Sequence, residues 1–173
     1  MSIKWNVDKA HSEVNFKVKH MVISTVSGNF LEFDASAEST SESFETGTFS
    51  FTAQIDSIHT KNPQRDEHLK SDDFFNAADF PELKFTSEKW SGGNLNGAIT
   101  IKGVTQPITL EVDFGGVITD PYGNQRAGFE FSGQIKRKEF GLNWDAVMES
   151  GGVVVSDNVK FSVNLEFIKE SVK

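Results

Sequence analysis

The sequence predicts an all-β fold of about eight antiparallel strands with one short helix, either closed as a barrel or stacked as two sheets. Three observations carry this reading. Apolar and polar residues alternate with period two nearly end to end, turn-forming clusters separate the alternating runs, and one segment with helix-start signals breaks the rhythm. Each such strand has one apolar face, and a flat open sheet would leave that face wet, so the strands must close on themselves or pair face to face.

The alternation opens with Val14, Phe16 and Val18 on one face and Glu13, Lys17 and Lys19 on the other, the pattern of a half-buried strand. His20 continues the inward row, and Met21, Val22 and Ile23 extend it with a flexible apolar edge. Leu31, Phe33, Ala35 and Ala37 repeat the pattern, as do Phe49, Phe51, Ala53 and Ile55. The Ser/Thr/Glu-rich stretch from Glu38 to Thr46 between them reads as a hairpin loop, since both flanks are strands.

From Asn62 to Ser71 the chain changes character. Asn62 is a capping residue, Pro63 takes the first helical position, and Asp66 and Glu67 fall in the opening turns, so a short helix is predicted. Asp72-Asp73-Phe74-Phe75-Asn76 and Phe80-Pro81 then form an apolar cluster without strand period, read as a loop folded across one barrel end. Alternation resumes with Leu83 and Phe85, then Leu95, Ile99 and Ile101, then Ile108, Leu110, Val112 and Phe114, then Phe129, Phe131 and Ile135. It ends with Val159, Phe161, Val163, Leu165 and Phe167, the cleanest run of all. Turns are predicted at Ser91-Gly92-Gly93-Asn94, at Thr105-Gln106-Pro107 and at Asp120-Pro121-Tyr122-Gly123-Asn124.

A length of 173 residues suits one domain spanning 1–173, with no linker, solenoid repeat or low-complexity tail. Sixteen Phe and a hydrophobic share of 37% are enough for a packed interior. The mean hydropathy of -0.35 argues against a membrane-embedded chain. A net charge of -8 repels phosphate backbones, and no basic stripe is visible along the sequence, so nucleic acid is not an expected partner. The absence of cysteine excludes disulfides, thiolate metal sites and a Cys nucleophile. No apolar run of signal-peptide or membrane-spanning length follows Met1-Ser2-Ile3-Lys4-Trp5. The chain as it stands is therefore expected in the cytoplasm, or in the periplasm if an export signal has been removed.

His11, His20, His59 and His68 fit neither a Ser-His-Asp arrangement nor zinc spacing, so no catalytic residue, metal or cofactor is expected. Arg65, Asp66, Glu67 and His68 are the densest charged group. They read either as a polar collar for a ligand head group or as an ion-pair network that pins the helix to the strands. The Phe residues would supply wide, smooth walls for a hydrocarbon cavity, but they would fill a solid core equally well.

Four motifs in order give the chain a resemblance. They are Asp8-Lys9-Ala10-His11-Ser12 followed by Val14, Phe16, Val18, Lys19 and His20; Arg65-Asp66-Glu67-His68-Leu69-Lys70-Ser71 with Asp73-Phe74-Phe75 and Phe80-Pro81; Ile101-Lys102-Gly103-Val104-Thr105-Gln106-Pro107; and Lys136-Arg137-Lys138-Glu139-Phe140-Gly141-Leu142. Together they resemble the YceI family, the lipocalin-like polyisoprenoid-binding proteins of bacteria. The resemblance implies an antiparallel, lipocalin-like β-barrel of about eight strands with one short helix, enclosing a long apolar tunnel. It further implies a polyisoprenoid or other long-chain amphiphilic ligand, often held by homodimers.

Combined with the alternation, the resemblance assigns Phe16, Val18, Phe85, Ile99, Ile101 and Phe131 to the tunnel wall and Leu69, Phe74 and Phe75 to its cover. His20, Arg65 and His68 fall to its polar end. The leading expectation is a carrier, store or sensor of a lipid chain and not an enzyme. The alternatives are an enzyme acting on an isoprenoid-type substrate, with His68 and a nearby carboxylate as acid and base, and a solid-cored interaction module.

Overall fold

The computed structural model describes residues 2–21, 23–144 and 155–171. Its strands are β1 (Ile3–Val7), β2 (Glu13–His20), β3 (Ser24–Phe30), β4 (Phe33–Ser39), β5 (Thr48–Gln54), β6 (Ile58–His59), β7 (Glu82–Ser87), β8 (Leu95–Ile101), β9 (Val104–Thr119), β10 (Gln125–Lys136) and β11 (Val155–Lys169). One helix, α1 (Pro63–Lys70), lies between β6 and β7. Among the described residues no helix is long and apolar enough to cross a membrane.

Every pairing is antiparallel. The order β1-β4-β5-β7-β8-β9-β10-β11 returns to β1, so eight strands close a barrel, while β2, β3 and β6 continue the sheet from β11. The registers explain the surplus segments. β1 and β2 lie end to end along β11, with Val7 opposite Phe167 and Glu13 opposite Asn164. β4 and β3 lie end to end along that pair in the same way, and β5 and β6 along the next. The fold is thus an up-and-down barrel in chain order whose first three strands are each broken once, which abolishes sheet edges over the closed part.

The break between β1 and β2 is built by polar residues. Asp8 Oδ1 accepts from the Ala10 amide at 3.1 Å, the Ser12 hydroxyl donates to the Asp8 carbonyl at 2.7 Å, and the Glu166 amide donates to Ser12 Oγ at 3.0 Å. A single tight turn is thereby inserted while both halves stay on β11.

Two sequence expectations need correction. The turn placed at Thr105–Pro107 lies earlier, at Lys102 and Gly103, whose φ angles of 51° and 76° make the two-residue turn that joins Ile101 to Val104. Thr105, Gln106 and Pro107 belong to β9 itself; Pro107 sits where β9 has β8 on one side and no β10 partner on the other, a place where strands tolerate proline. Leu31, read as the first inward residue of its run, lies exposed in the bend between β3 and β4, where the broken strand resets its register.

The core divides along the barrel axis. At the end holding the β4–β5, β7–β8 and β9–β10 connections, Trp5, Phe44, Phe49, Trp90, Phe114, Phe129 and Phe167 interlock. Phe129 is their hub, and Phe44 packs between it and Trp5, with ring centroids 4.8 Å from Trp5 and 4.9 Å from Phe129. Phe44 comes from the stretch that reads as a plain polar loop. Its backbone is left-handed at φ 60°, a conformation uncommon for a bulky residue and held here because the ring is wholly buried. The loop is tied down by Thr46 and Gly47, whose amides donate to the Trp90 and Phe44 carbonyls at 2.8 and 2.9 Å.

Candidate functional site

The opposite end is hollow. A cavity of about 170 Å³ extends from Phe49 and Phe167, on the floor made by the aromatic cluster, to Leu69, Phe74 and Leu142 at the mouth. Of the polar residues, only Asn15, Ser50 and Arg137 are among its described lining residues. The inward rows of the strands create it, because period-two alternation delivers mostly apolar side chains to the interior.

Glycines explain why the rings leave room. A Cβ on Gly28 would collide with the Phe16 ring, one on Gly97 would come within 2.7 Å of Phe85, and one on Gly133 within 2.9 Å of Phe161. Phe16 stands directly opposite Gly28 across β2 and β3, and Phe161 opposite Gly133 across β11 and β10. Each ring therefore lies along the wall, in the space a missing side chain vacates, and does not cross the lumen.

The mouth is covered by α1 and the loop after it. The Asn62 side chain caps the helix by accepting from the Arg65 amide at 3.1 Å. Asp66, buried, accepts from the Thr60 amide at 2.9 Å and from the Thr60 hydroxyl, while Arg65 Nε donates to Thr60 Oγ1 at 2.9 Å and its Nη2 to the Thr60 carbonyl. These bonds hold the helix so that Leu69 faces the cavity, with Phe74 and Phe75 beside it. His68 Nε2 lies 2.9 Å from Asp73 Oδ2, and its ring packs edge-on against Phe74 and Trp144 at 5.2 and 4.9 Å.

A family model described as the YceI-like domain matches residues 5–167. The chain belongs to the YceI-like family. It is 39% identical over 161 residues to a UPF0312 protein of Staphylococcus aureus, covering 92% of this chain and 94% of the relative. Among solved structures it resembles a Campylobacter jejuni YceI protein, at 32% identity and a TM-score of 0.75, with 95% of this chain and 97% of the other covered. It also shares the fold of a polyisoprenoid binding domain from Saccharophagus degradans, at 14% identity and a TM-score of 0.71, over 96% of this chain and 98% of that one.

Within this YceI-like barrel the residues expected in the wall, Phe16, Val18, Phe85, Ile99, Ile101 and Phe131, all line the cavity, and the expected cover residues Leu69, Phe74 and Phe75 stand at its mouth. The expected polar end is not brought together. His20, Arg65 and His68 are absent from the described lining. Arg65 turns its guanidinium to Thr60, so it braces the helix through hydrogen bonds to a neutral residue. His68 stands one ring back from the cavity, behind Phe74. His20 pairs with the lining residue Val155 at the rim.

The charged residue that does reach the lining is Arg137. It is buried and donates to the carbonyls of Leu142 at 2.6 Å, Trp144 at 2.8 Å, Ser156 at 3.0 Å and Val155 at 3.1 Å. It ties the end of β10 to the start of β11 beside the mouth. Alternation says nothing about a residue just past a strand end; only its place in the Lys136–Leu142 motif pointed to it.

A second polar cluster lies on the outer face of the YceI-like barrel, at the aromatic end. Arg126 donates to Asp8 and Asp120 at 2.7 Å and to Glu166 at 2.8 Å, and His11 Nδ1 stands 2.8 Å from Asp8 Oδ2. Hydrogen bonds from His11 and then Arg126 lower the Asp8 pKa to about 2, the Asp8 bond raises that of His11, and the Arg126 bond lowers that of Asp120. Ligand atoms of Asp8, His11 and Glu166 lie within 4.8 Å of one another, close enough to hold a metal. The Arg126 guanidinium already supplies a positive charge to both of the carboxylates involved.

Proposed function

We propose that this protein holds the hydrocarbon chain of a lipid of the polyisoprenoid class in the hollow half of its barrel. The observation that carries the reading is a cavity lined almost wholly by apolar side chains inside a closed sheet. The likeness to a polyisoprenoid binding domain supports the choice of ligand class. Phe16, Val18, Phe85, Ile99, Ile101 and Phe131 form the wall against which the chain packs, and Leu69, Phe74 and Phe75 are the cover. Each methylene moved from water into this lining contributes about 0.8 kcal/mol, so affinity grows with the length of chain enclosed and needs few polar contacts.

The volume decides how a long chain is taken up. A cavity of about 170 Å³ is similar to one that accepts a single benzene ring, so the closed barrel encloses only a short stretch of chain. A longer ligand enters as the cover swings outward, with its polar end among His68, His20 and the Arg137 region. The reading as an enzyme is weaker: His68 and Asp73 make an acid-base pair, but neither lines the cavity. A solid-cored module is a poor fit to a hollow end.

Organic extraction of the purified protein followed by mass spectrometry tests the proposal. A long-chain isoprenoid or lipid in the extract, or its stoichiometric uptake by stripped protein, is expected. Protein that carries none and takes none up overturns the reading.

A further inference from the structure

The tip of the β2–β3 hairpin stands at the mouth end of the barrel. His20, the last residue of β2, pairs with Val155, which lines the cavity, and with Ser24 across the hairpin. The chain between them exposes Met21 and, most of all, Ile23, which is 85% accessible. A large aliphatic side chain so exposed beside an apolar tunnel is unexplained by the packing of the barrel.

The outer face next to this tip is basic, although the chain as a whole carries a charge of -8. Lys17 and Lys19 alternate along β2 with the lining residue Val18, Lys160 sits between the lining residues Val159 and Phe161, and Lys136 follows the lining Ile135. All four lysines thus point outward and are exposed. Lys17 and Lys160 are directly opposed across β2 and β11, a like-charge pairing that disfavours the sheet. Among the described residues none of the four forms an ion pair. The acidic residues Glu13, Glu130 and Glu166 lie toward the aromatic end, and Asp157, at the mouth end of β11, accepts from the Lys138 amide at 3.1 Å. No basic stripe is visible in the sequence because three separate strands contribute these lysines, and only the topology gathers them.

We propose that the β2–β3 tip and the Lys17, Lys19, Lys136 and Lys160 face dock the tunnel mouth on an anionic lipid bilayer. The purpose of docking, loading the cavity from the membrane, rests on the lipid-chain reading given above. An apolar tip flanked by lysines is the pattern of an interfacial anchor: the aliphatic side chains enter the head-group boundary while the ammonium groups meet anionic lipid. A phosphate backbone alone would leave Ile23 without a partner, and the opposed lysines disfavour a two-fold contact of this face with a second copy.

The test is cosedimentation of the full chain with vesicles of phosphatidylcholine containing phosphatidylglycerol, and with phosphatidylcholine vesicles alone. Binding to the anionic vesicles only, weakened by salt, is expected. Lys17→Gln and Lys160→Gln should each weaken it roughly fivefold, and Ile23→Ser should weaken it at any salt concentration. The same variants should take up a fluorescent long-chain fatty acid from solution as the wild type does. Loss of fatty-acid uptake by the wild type with vesicle binding intact strikes at the cavity reading, not at docking. Docking is overturned if the wild type fails to sediment with anionic vesicles, if the lysine variants bind unchanged, or if Ile23→Ser alters the oligomeric state and leaves vesicle binding untouched.

Discussion

The two ends of this barrel are built from the same residue type and come out opposite in character. At the aromatic end, Phe49, Phe114 and Phe129 converge on Phe44, a ring donated by a connecting loop, and the interior is filled. At the mouth end, Phe16, Phe85 and Phe161 lie over glycines of neighbouring strands, and the interior stays open. Composition therefore does not decide between a solid core and a tunnel. What differs is the space around the rings: at the aromatic end a loop-borne ring fills the interior, whereas at the mouth end a glycine on a neighbouring strand lets each of these rings lie along the wall.

The largest expected effect tests that contrast directly. Phe44→Ala removes a wholly buried ring of the filled end and should destabilise the protein by about 3–5 kcal/mol in urea unfolding, through lost transfer energy plus a new cavity. Phe85→Ala at the hollow end adds to space already empty, so its loss should stay near the bare transfer value of roughly 1.5–3 kcal/mol. Equal losses at the two sites would show that the mouth end is as tightly packed as the aromatic end, and the comparison would fail.

A smaller effect sharpens the role of the glycines. In Gly28→Ala the new methyl group meets the Phe16 ring, which must swing off the wall toward the lumen. If the ring displaces about two methylenes of ligand chain, uptake should weaken roughly tenfold. The double variant Gly28→Ala with Phe16→Ala removes the colliding ring and should recover uptake. Should uptake by the double variant remain as weak as that of the single variant, the methyl group acts through the backbone, not through the ring.

Much of this architecture was legible in the sequence, and the gaps have physical causes. Alternation located the wall residues because facing is a local property of a strand: Phe16 and Val18 point inward whatever they pair with. The helix was legible because Asn62 and Pro63 act within one turn. Phe44 was not, since a lone aromatic in a Ser/Thr/Glu-rich stretch carries no period, and only closure of the barrel brings it under Trp5. The glycine seats depend on cross-strand register, and no local pattern sets register. The placement of the polar residues was less legible for a related reason: Arg65 and His68 are near the mouth along the chain, but the helix turns one toward Thr60 and sets the other behind Phe74.

The smallest effect concerns the polar cluster outside the filled end, and its sign differs on the two sides of neutrality. Asp8 titrates in the fold at about 2 against an ordinary 3.8, so the stability it contributes is present above pH 3.8 and is lost as the pH falls toward 2. His11 is raised above its ordinary 6.5, so its contribution is complete below pH 6.5 and fades as the pH rises through the raised value. Asp8→Asn keeps an oxygen for the Ala10 amide but removes the charge that holds His11 and Arg126. The stability gap between wild type and this variant, read from urea unfolding across pH, should therefore be widest from about pH 4 to pH 6 and narrow on either side. Chain uptake by the folded variant should match the wild type, because the cluster braces the filled end, away from the cavity. A gap that is flat with pH would mean that Asp8 acts through its turn geometry alone, and a loss of uptake would mean that the two ends are coupled.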